Sequence, residues 1–564
     1  MRPRFPPLRI VHLLFALGPS LACASPLSCA ASAPAPSPIA DSRSRSLFEH
    51  SSPPSPAPSS ARALPPALPC PALTSLSLPH VTLTGARLVP AGSPRPGAPS
   101  LPAHCRVDGI SRPVADSEIR FEVLMPVGDA WNGRYQQVGN GAYGGRVPEG
   151  DLFDALAAGY ATAGTDDGHE APPADASWAM GHPEKVADYG WRAVKETNDA
   201  ARAVLRAYTG REPAFTYFTG CSAGGREGLV EAARFPGDFD GIVSGAPTID
   251  VAHVLFGFAW NVRALAETPG SHIPRSKLDA IEEASLAACG DADGVVEDPP
   301  ACRFDPAVLR CTGADTPRCL TGAQVTALRK IYAGARNPRT GARVEPGFEA
   351  GAEAEPHGAE PDGWSFWLTG AAPGEAGNTG QFRLAKSFFS FMVFDDPRYD
   401  MRRLDFDRDV ATADARVSSV LDAGADLSAF RKRGGKLVHY HGWNDQVLPP
   451  RDSIRYHDRV AAAATGGDPR DFYRLFLAPG MLHCMGGRGP NVLATEDAIV
   501  GWVEHGVAPD RVLATKYRDD DRAKGALQTR PLCPYPARAA WDGKGDRTKA
   551  ESYACTGRQT PPAD

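Results

Sequence analysis

Residues 214–230 read AFTYFTGCSAGGREGLV. The run from Ala214 to Thr219 is β-branched and aromatic, the composition of a buried strand. Gly220-Cys221-Ser222-Ala223-Gly224 then fits the pattern G-x-S-x-G, and Glu227 to Arg234 reads as helix. Strand, sharp turn and helix together form the context in which this pattern lifts a serine hydroxyl above a sheet. The glycines permit a strained backbone and close packing, and the helix N-terminus favours negative charge developing beside it. Ser222 is therefore the candidate nucleophile, although the same pattern also occurs by chance around a buried turn serine. Cysteines frame the reading: Cys221 precedes Ser222 and Cys484 follows His483. A bond between them would tie a nucleophile to its base across a long sequence separation.

Outward from this stretch, strands alternate with helical patterns. Phe121 to Met125, Arg134 to Val138 and Tyr160 to Gly164 read as extended. Residues 151–158 and a long run from Asp188 to Tyr208, stopped by Gly210, read as helical. Gly241 to Ser244, Lys436 to Tyr440 and Asp471 to Leu477 supply further strands. Alternating βα units predict a doubly wound, mostly parallel sheet, the α/β-hydrolase class once the serine turn is included. The alternation stops after Pro247. Residues 248–430 hold two cysteine pairs, Gly/Ala-rich loops and clustered aromatics (Trp364, Trp367, Phe388, Phe389, Phe391), which predicts a large inserted lid domain between hydrolase parts 69–247 and 431–564.

The 564 residues are 42% hydrophobic and 22% charged, with a net charge of −6, an ordinary globular composition long enough for a large core. No basic stripe of nucleic-acid type occurs, so nucleic acid is not an expected partner. Arg2, Arg4 and Arg9 precede an apolar run, Ile10 to Leu17, and Ala22-Cys23-Ala24 fits a cleavage site. Residues 1–24 thus read as a signal peptide of a secreted or periplasmic protein. That run is too short to span a bilayer. A lipid anchor at Cys23 is the less favoured alternative, since Ser20 and Leu21 fit a lipobox poorly. Residues 25–68, rich in Pro, Ala and Ser, read as a disordered linker. Of 12 cysteines, all but Cys23 and Cys29 lie beyond this leader. An even number in an exported chain predicts disulfides rather than zinc, because no C-x-x-C pair occurs; sequence alone leaves their connectivity open. Oligomeric state is not encoded in any pattern here.

A serine hydroxyl is a weak nucleophile and needs a base, and the base needs an orienting carboxylate. The chain order Ser, acid, His of this fold class is met by Ser222, Asp445 and His483. Asp445 and His483 each follow a predicted strand, at the sheet edge where ligands bind. Asp452, His441 and His457 are neighbouring alternatives. Two backbone N–H groups should hold the oxyanion. One is that of Ala223, and the other lies in Gly139-Asn140-Gly141-Ala142-Tyr143-Gly144-Gly145, at Gly139 or Gly141. That loop lacks the lysine and spacing of a phosphate-binding loop.

The stretches YFTGCSAGGREGLVEAARFPGDFDGIVSGAP (217–247), GYATAGTDDGH (159–169), FMVFDDPRYD (391–400), YHGWNDQVLPP (440–450) and HCMGG (483–487) resemble the tannase and feruloyl esterase family, which also includes mono-(2-hydroxyethyl) terephthalate hydrolase. The resemblance implies nucleophile Ser222, acid Asp445, base His483 and a Cys221–Cys484 bond. It also implies the pairs Cys70–Cys105, Cys289–Cys302, Cys311–Cys319 and Cys533–Cys555. The implied activity is hydrolysis of a small-molecule ester of an aromatic acid, without a catalytic cofactor. A peptidase or dienelactone-type hydrolase would use the same triad, and a non-catalytic binding module would need a damaged one. The family's structural calcium would lie in CGDADGVVEDPPAC (289–302), at Asp291, Asp293 and Val295, with Asp298 nearby. That loop is shorter than usual, and Gly290 stands where an aspartate is expected. The lid aromatics are expected either to stack on a substrate ring or to form the lid's own core. Arg383 and Lys386 are candidates for meeting a substrate carboxylate.

Overall fold

Nine strands build the central sheet: β1 (Val81–Val89), β2 (His104–Ser111), β3 (Ile119–Pro126), β4 (Arg134–Val138), β5 (Ala161–Thr165), β6 (Phe215–Cys221), β7 (Gly241–Gly245), β8 (Lys436–Gly442) and β9 (Tyr473–Ala478). Their spatial order is β1-β2-β3-β5-β4-β6-β7-β8-β9. Pairs from β5 to β9 are parallel, whereas β1, β2 and β3 form an antiparallel edge. The computed structural model describes residues 67–95, 100–291, 293–354, 363–370, 378–464 and 467–561, all within the unit Ala63–Asp564. The signal reading at 1–24 and nearly all of the linker reading at 25–68 fall outside them. Among the described residues no helix is long and apolar enough to cross a membrane.

The parallel strands are largely buried on both faces, as expected of a sheet covered by helices on both sides. Strands β5 and β7 are buried throughout. Helix Ala193–Thr209 packs Val194, Ala201, Val204 and Leu205 onto the core with Phe121, Phe218 and Leu437. Gly210 ends it in the left-handed conformation at φ 71°, where glycine carries no Cβ penalty. The helix run expected from Asp188 starts earlier, at Pro183, and widens to a π turn over Asp188–Arg192. The buried guanidinium of Arg226 donates to the carbonyls of Tyr189 and Gly190 there. A side chain inserted into the helical ladder accounts for the widening.

The chain leaves the sheet after β7 and returns at β8. In between lie helices Val251–Ala266, Leu278–Cys289, Gly322–Ala333 and Gly380–Phe388. Trp364 sits at zero exposure with Leu328, Ile331 and Phe348. Phe388 and Phe389 pack with Phe256 and Phe406. Most of the expected lid aromatics are therefore core; Trp367 instead reaches the large cavity described below.

Candidate active site

Strand β6 ends at Cys221, and helix Ala223–Arg234 begins two residues later. Ser222 makes the turn with φ 63° and ψ −123°, a strained backbone for a residue with a side chain. Such a tight turn needs bare backbone beside it: a Cβ on Gly220 would lie 2.6 Å from the Gly224 carbonyl carbon, and one on Gly224 2.8 Å from Asn140 O. The elbow is pinned by Ser222 N–H donating to Gly245 O at 2.9 Å and Gly224 N–H donating to Asn140 O at 2.7 Å.

Asp445 and His483 lie in loops after β8 and β9. His483 Nδ1 is 2.7 Å from Asp445 Oδ2. Asp445 is buried, and its other oxygen accepts the backbone N–H groups of Val447 and Leu448 at 2.7 and 2.8 Å. A fourth contact comes from His441, whose Nε2 is 3.0 Å from Oδ2. Burial alone would push the Asp445 carboxyl up. The His483 charge and the hydrogen bonds from His441 and His483 outweigh it and hold the group well below the usual carboxylate range. The His483 backbone N–H donates to Gln446 Oε1 at 3.0 Å, so the loop carrying His483 is tied to the loop carrying Asp445.

Five disulfides pair Cys70–Cys105, Cys221–Cys484, Cys289–Cys302, Cys311–Cys319 and Cys533–Cys555. Cys221–Cys484 spans 263 residues with its Cα atoms 5.9 Å apart. It brings the neighbours of Ser222 and His483 to one place, and both residues line one cavity of about 1070 Å³. On the helical side this cavity is walled by Val251, Leu255, Phe258, Trp367 and Leu384, and by Tyr143 of the loop after β4.

The loop after β4 departs from expectation. Gly139 N–H donates to Thr219 O at 2.9 Å, and Gly141 N–H to the side chain of Asn140 at 2.9 Å. Neither expected amide is left for an oxyanion. Gly139 is glycine for another reason, since a Cβ there would lie 2.6 Å from Gly224 Cα. Ala142 N–H takes no acceptor among the described residues, and Ala142 lines the cavity. Ala223 N–H opens the elbow helix, where no intrahelical acceptor exists. The loop is braced from below by Glu227, which accepts Asn140 N–H at 3.1 Å. Beside it sits Asp167, whose carboxyl burial and the Glu227 charge push well above its ordinary value. Sequence reasoning assigned no role to this acid pair, although GTDDGH marked its location.

Other candidates lie elsewhere. Buried Asp452 faces Arg455 at 3.1 Å, and His457 contacts Asp458 at 3.2 Å; neither lines the cavity. Arg383 stacks over Phe366 at 5.3 Å and Lys386 donates to Tyr399 O, so neither of these cations faces the cavity.

The 289–302 loop does not fit calcium. The carboxylate of Asp293 takes Arg530 at 2.5 Å, Gln528 at 3.2 Å and Val295 N–H at 3.3 Å. Glu297 also pairs with Arg530, Asp298 accepts from Thr560, and Val295 O accepts Asp291 N–H at 2.8 Å. A calcium site needs six to eight oxygens around the ion, and here a guanidinium at 1% exposure occupies the acidic face. Treatment with a chelator is expected to leave Tm unchanged. Arg530→Met should cost about 3–5 kcal/mol, because it strands two carboxylates. A drop in Tm with EDTA, read by differential scanning fluorimetry, would contradict this account.

An elbow serine on a mostly parallel sheet, with a buried Asp paired to a half-buried His at the strands' carboxyl ends, defines a hydrolase of the α/β-hydrolase class. The family model described as "Tannase and feruloyl esterase" matches residues 105–556, and the chain belongs to that family of carboxylic ester hydrolases. It is 43% identical over 530 residues to an uncharacterized esterase of Xanthomonas campestris pv. campestris, covering 86% of this chain and 91% of that one. It is 33% identical over 520 residues to the mono(2-hydroxyethyl) terephthalate hydrolase of Piscinibacter sakaiensis, covering 81% and 85%. Crystalline feruloyl esterase B from Aspergillus oryzae superposes with a TM-score of 0.76 at 26% identity, covering 86% of this chain and 99% of that one.

Proposed function

We propose that the chain is an exported serine esterase that cleaves esters of aromatic acids through Ser222, His483 and Asp445. The observation that carries the triad is the 2.7 Å contact of buried Asp445 with His483, which lines the cavity that also holds the elbow serine. Ser222 Oγ attacks the ester carbonyl and passes its proton to His483 Nε2. Asp445 holds the imidazole from Nδ1 and stabilises the imidazolium. The oxyanion lies against Ala223 N–H and Ala142 N–H. The alcohol leaves with the proton from Nε2, an acyl-enzyme remains on Ser222, and water activated by His483 releases the acid.

An aromatic acid is favoured by the apolar, ring-bearing wall, Phe258 and Trp367 with Tyr143, and by the activities named for the relatives. The helical segment between β7 and β8 acts as the lid. Export is favoured by the Arg2–Ala24 leader and by five disulfides, which persist in oxidising compartments. A fluorophosphonate is expected to label the protein stoichiometrically at Ser222. Esters of gallate, hydroxycinnamate and terephthalate should be hydrolysed in preference to peptides. Labelling elsewhere, or peptides cleaved faster than every aryl ester, would overturn the reading.

The Cys221–Cys484 bond restrains the distance between nucleophile and base. Its loop-closure contribution to stability is about 5 kcal/mol, and a displacement of 1 Å at a reacting group lowers rate by about 10²-fold. Replacing both cysteines by alanine is expected to slow fluorophosphonate labelling by about that factor at temperatures where the variant is folded by circular dichroism. An unchanged labelling rate would make the bond a fold staple without a part in catalysis.

A further inference from the structure

Strand β8 carries His439 and His441 two positions apart, hence on one face. Both rings are fully buried. His441 Nε2 lies 3.0 Å from Asp445 Oδ2 and 3.3 Å from the carbonyl oxygen of Leu448. Both neighbours only accept, so Nε2 carries the proton. The other ring nitrogen, Nδ1, lies 2.7 Å from Ser453 Oγ. In the neutral ring Nδ1 is an acceptor, so Ser453 O–H donates to it. With its one proton spent, Ser453 Oγ accepts from His439 Nε2 at 2.8 Å. His439 Nδ1 is then an acceptor as well, and the Tyr473 hydroxyl donates to it at 2.8 Å. Each link has one donor and one acceptor, and each direction follows from the one before.

We propose that His441 is a positioning residue for the triad, and that its tautomer is fixed by a buried chain running Tyr473, His439, Ser453, His441, Asp445. The proposal rests on the reading of Ser222, His483 and Asp445 as the triad. A carboxylate has about four lone-pair sites, and here Val447 N–H, Leu448 N–H, His441 and His483 occupy four. Asp445 is left without freedom to rotate, and Oδ2 stays aimed at His483. His441 also draws part of the Asp445 charge to itself. The chain suits its surroundings, because burial drives the His439 ring far toward its neutral form. Among the described residues Asp452 interacts electrostatically with His441 and pairs with Arg455 at 3.1 Å, His457 acts on His439, and burial holds the carboxyl of Glu345, next to Asp452, well above its ordinary value.

The test uses the full-length enzyme and a fluorophosphonate, reading the second-order rate of Ser222 labelling across pH together with Tm. His441→Leu is expected to label about 10- to 100-fold more slowly. Its acidic limb should move to higher pH, since the whole Asp445 charge then falls on His483 and favours the imidazolium. His441→Gln restores an N–H toward Oδ2 and should recover most of the rate. KM for an aryl ester should stay unchanged in both. Wild-type labelling rate and pH profile in His441→Leu would overturn the proposal, and so would equal losses in the Leu and Gln variants at equal Tm. If His441→Leu does not fold, Ser453→Ala decides. Freed from its hydroxyl donor, His441 samples the other tautomer, so the rate should fall and the limb shift, and an unaltered profile would sink the chain. Failure of the wild type itself to label at Ser222 would instead condemn the triad reading beneath it.

Discussion

Ser222→Ala is expected to lower kcat by about 10⁶-fold, the scale on which loss of an acyl-transfer serine leaves only binding and oxyanion stabilisation behind. The substitution is clean for this protein. Ser222 already sits at φ 63°, a conformation that costs alanine much what it costs serine. Its backbone N–H, which donates to Gly245 O at 2.9 Å, survives the change. The elbow should therefore keep its shape, and Tm should move little. Thr219 and Thr248 also line the cavity, but neither sits at the turn that the Cys221–Cys484 bond sets beside His483. Measured kcat on methyl ferulate and on 4-nitrophenyl acetate checks the result. A variant that keeps more than about 1% of activity with unaltered Tm would show that the acyl group is not carried on Ser222, and would remove the basis for the roles of Asp445 and His483 as well.

What was legible in the sequence was local. The elbow can be read because a strand, a G-x-S-x-G turn and a helix lie within about 20 residues, and the sterics of the turn demand those glycines. Asp445 and His483 could be read because each follows an apolar strand. Strands β1 and β2 escaped notice because the edge of a sheet need not be apolar: β1 has one buried position, Leu83, and β2 alternates buried with half-buried residues. The first turn of the elbow helix was also missed, since Gly224 and Gly225 have poor helix propensity and are held instead by packing against Asn140 and Gly245. The choice of Gly139 or Gly141 as the second oxyanion donor departs from the structure for a related reason. A glycine in a loop suggests a free amide, yet Gly139 is glycine to make room for Gly224. The calcium expectation rested on acidic residues that are present, while the group that meets them, Arg530, lies 237 residues from Asp293 in sequence. Local patterns show which ligands a loop offers; they do not show which distant cation reaches it.

Asp445→Asn should cost about 10⁴-fold in kcat with the fold retained, and the reason lies in the hydrogen-bond count. The carboxylate accepts four donors: Val447 N–H, Leu448 N–H, His441 Nε2 and His483 Nδ1. An amide has one acceptor oxygen. If that oxygen keeps the two backbone N–H groups, the NH₂ group faces His483 and compels Nδ1 to accept. The ring proton then moves to Nε2, the nitrogen that must take the proton from Ser222, and the base is lost. If the amide flips, two buried backbone donors are stranded instead, at a cost of about 1–3 kcal/mol each. The same group gives a pH signature in stability. Its folded-state pKa is depressed, so between the folded and unfolded values the unfolded chain binds the extra proton and stability rises with pH. The contribution is complete above about pH 4, the ordinary aspartate value, and is lost as pH falls through the folded value. The amide of the Asp445→Asn variant does not titrate, so the stability gap between wild type and variant should be widest above about pH 4 and narrow under acid. Urea denaturation across pH reads that gap. A gap that stays constant or widens below about pH 4, or a variant with more than about 1% of wild-type kcat, would show that Asp445 is not the ionised partner that holds His483 in its reactive tautomer.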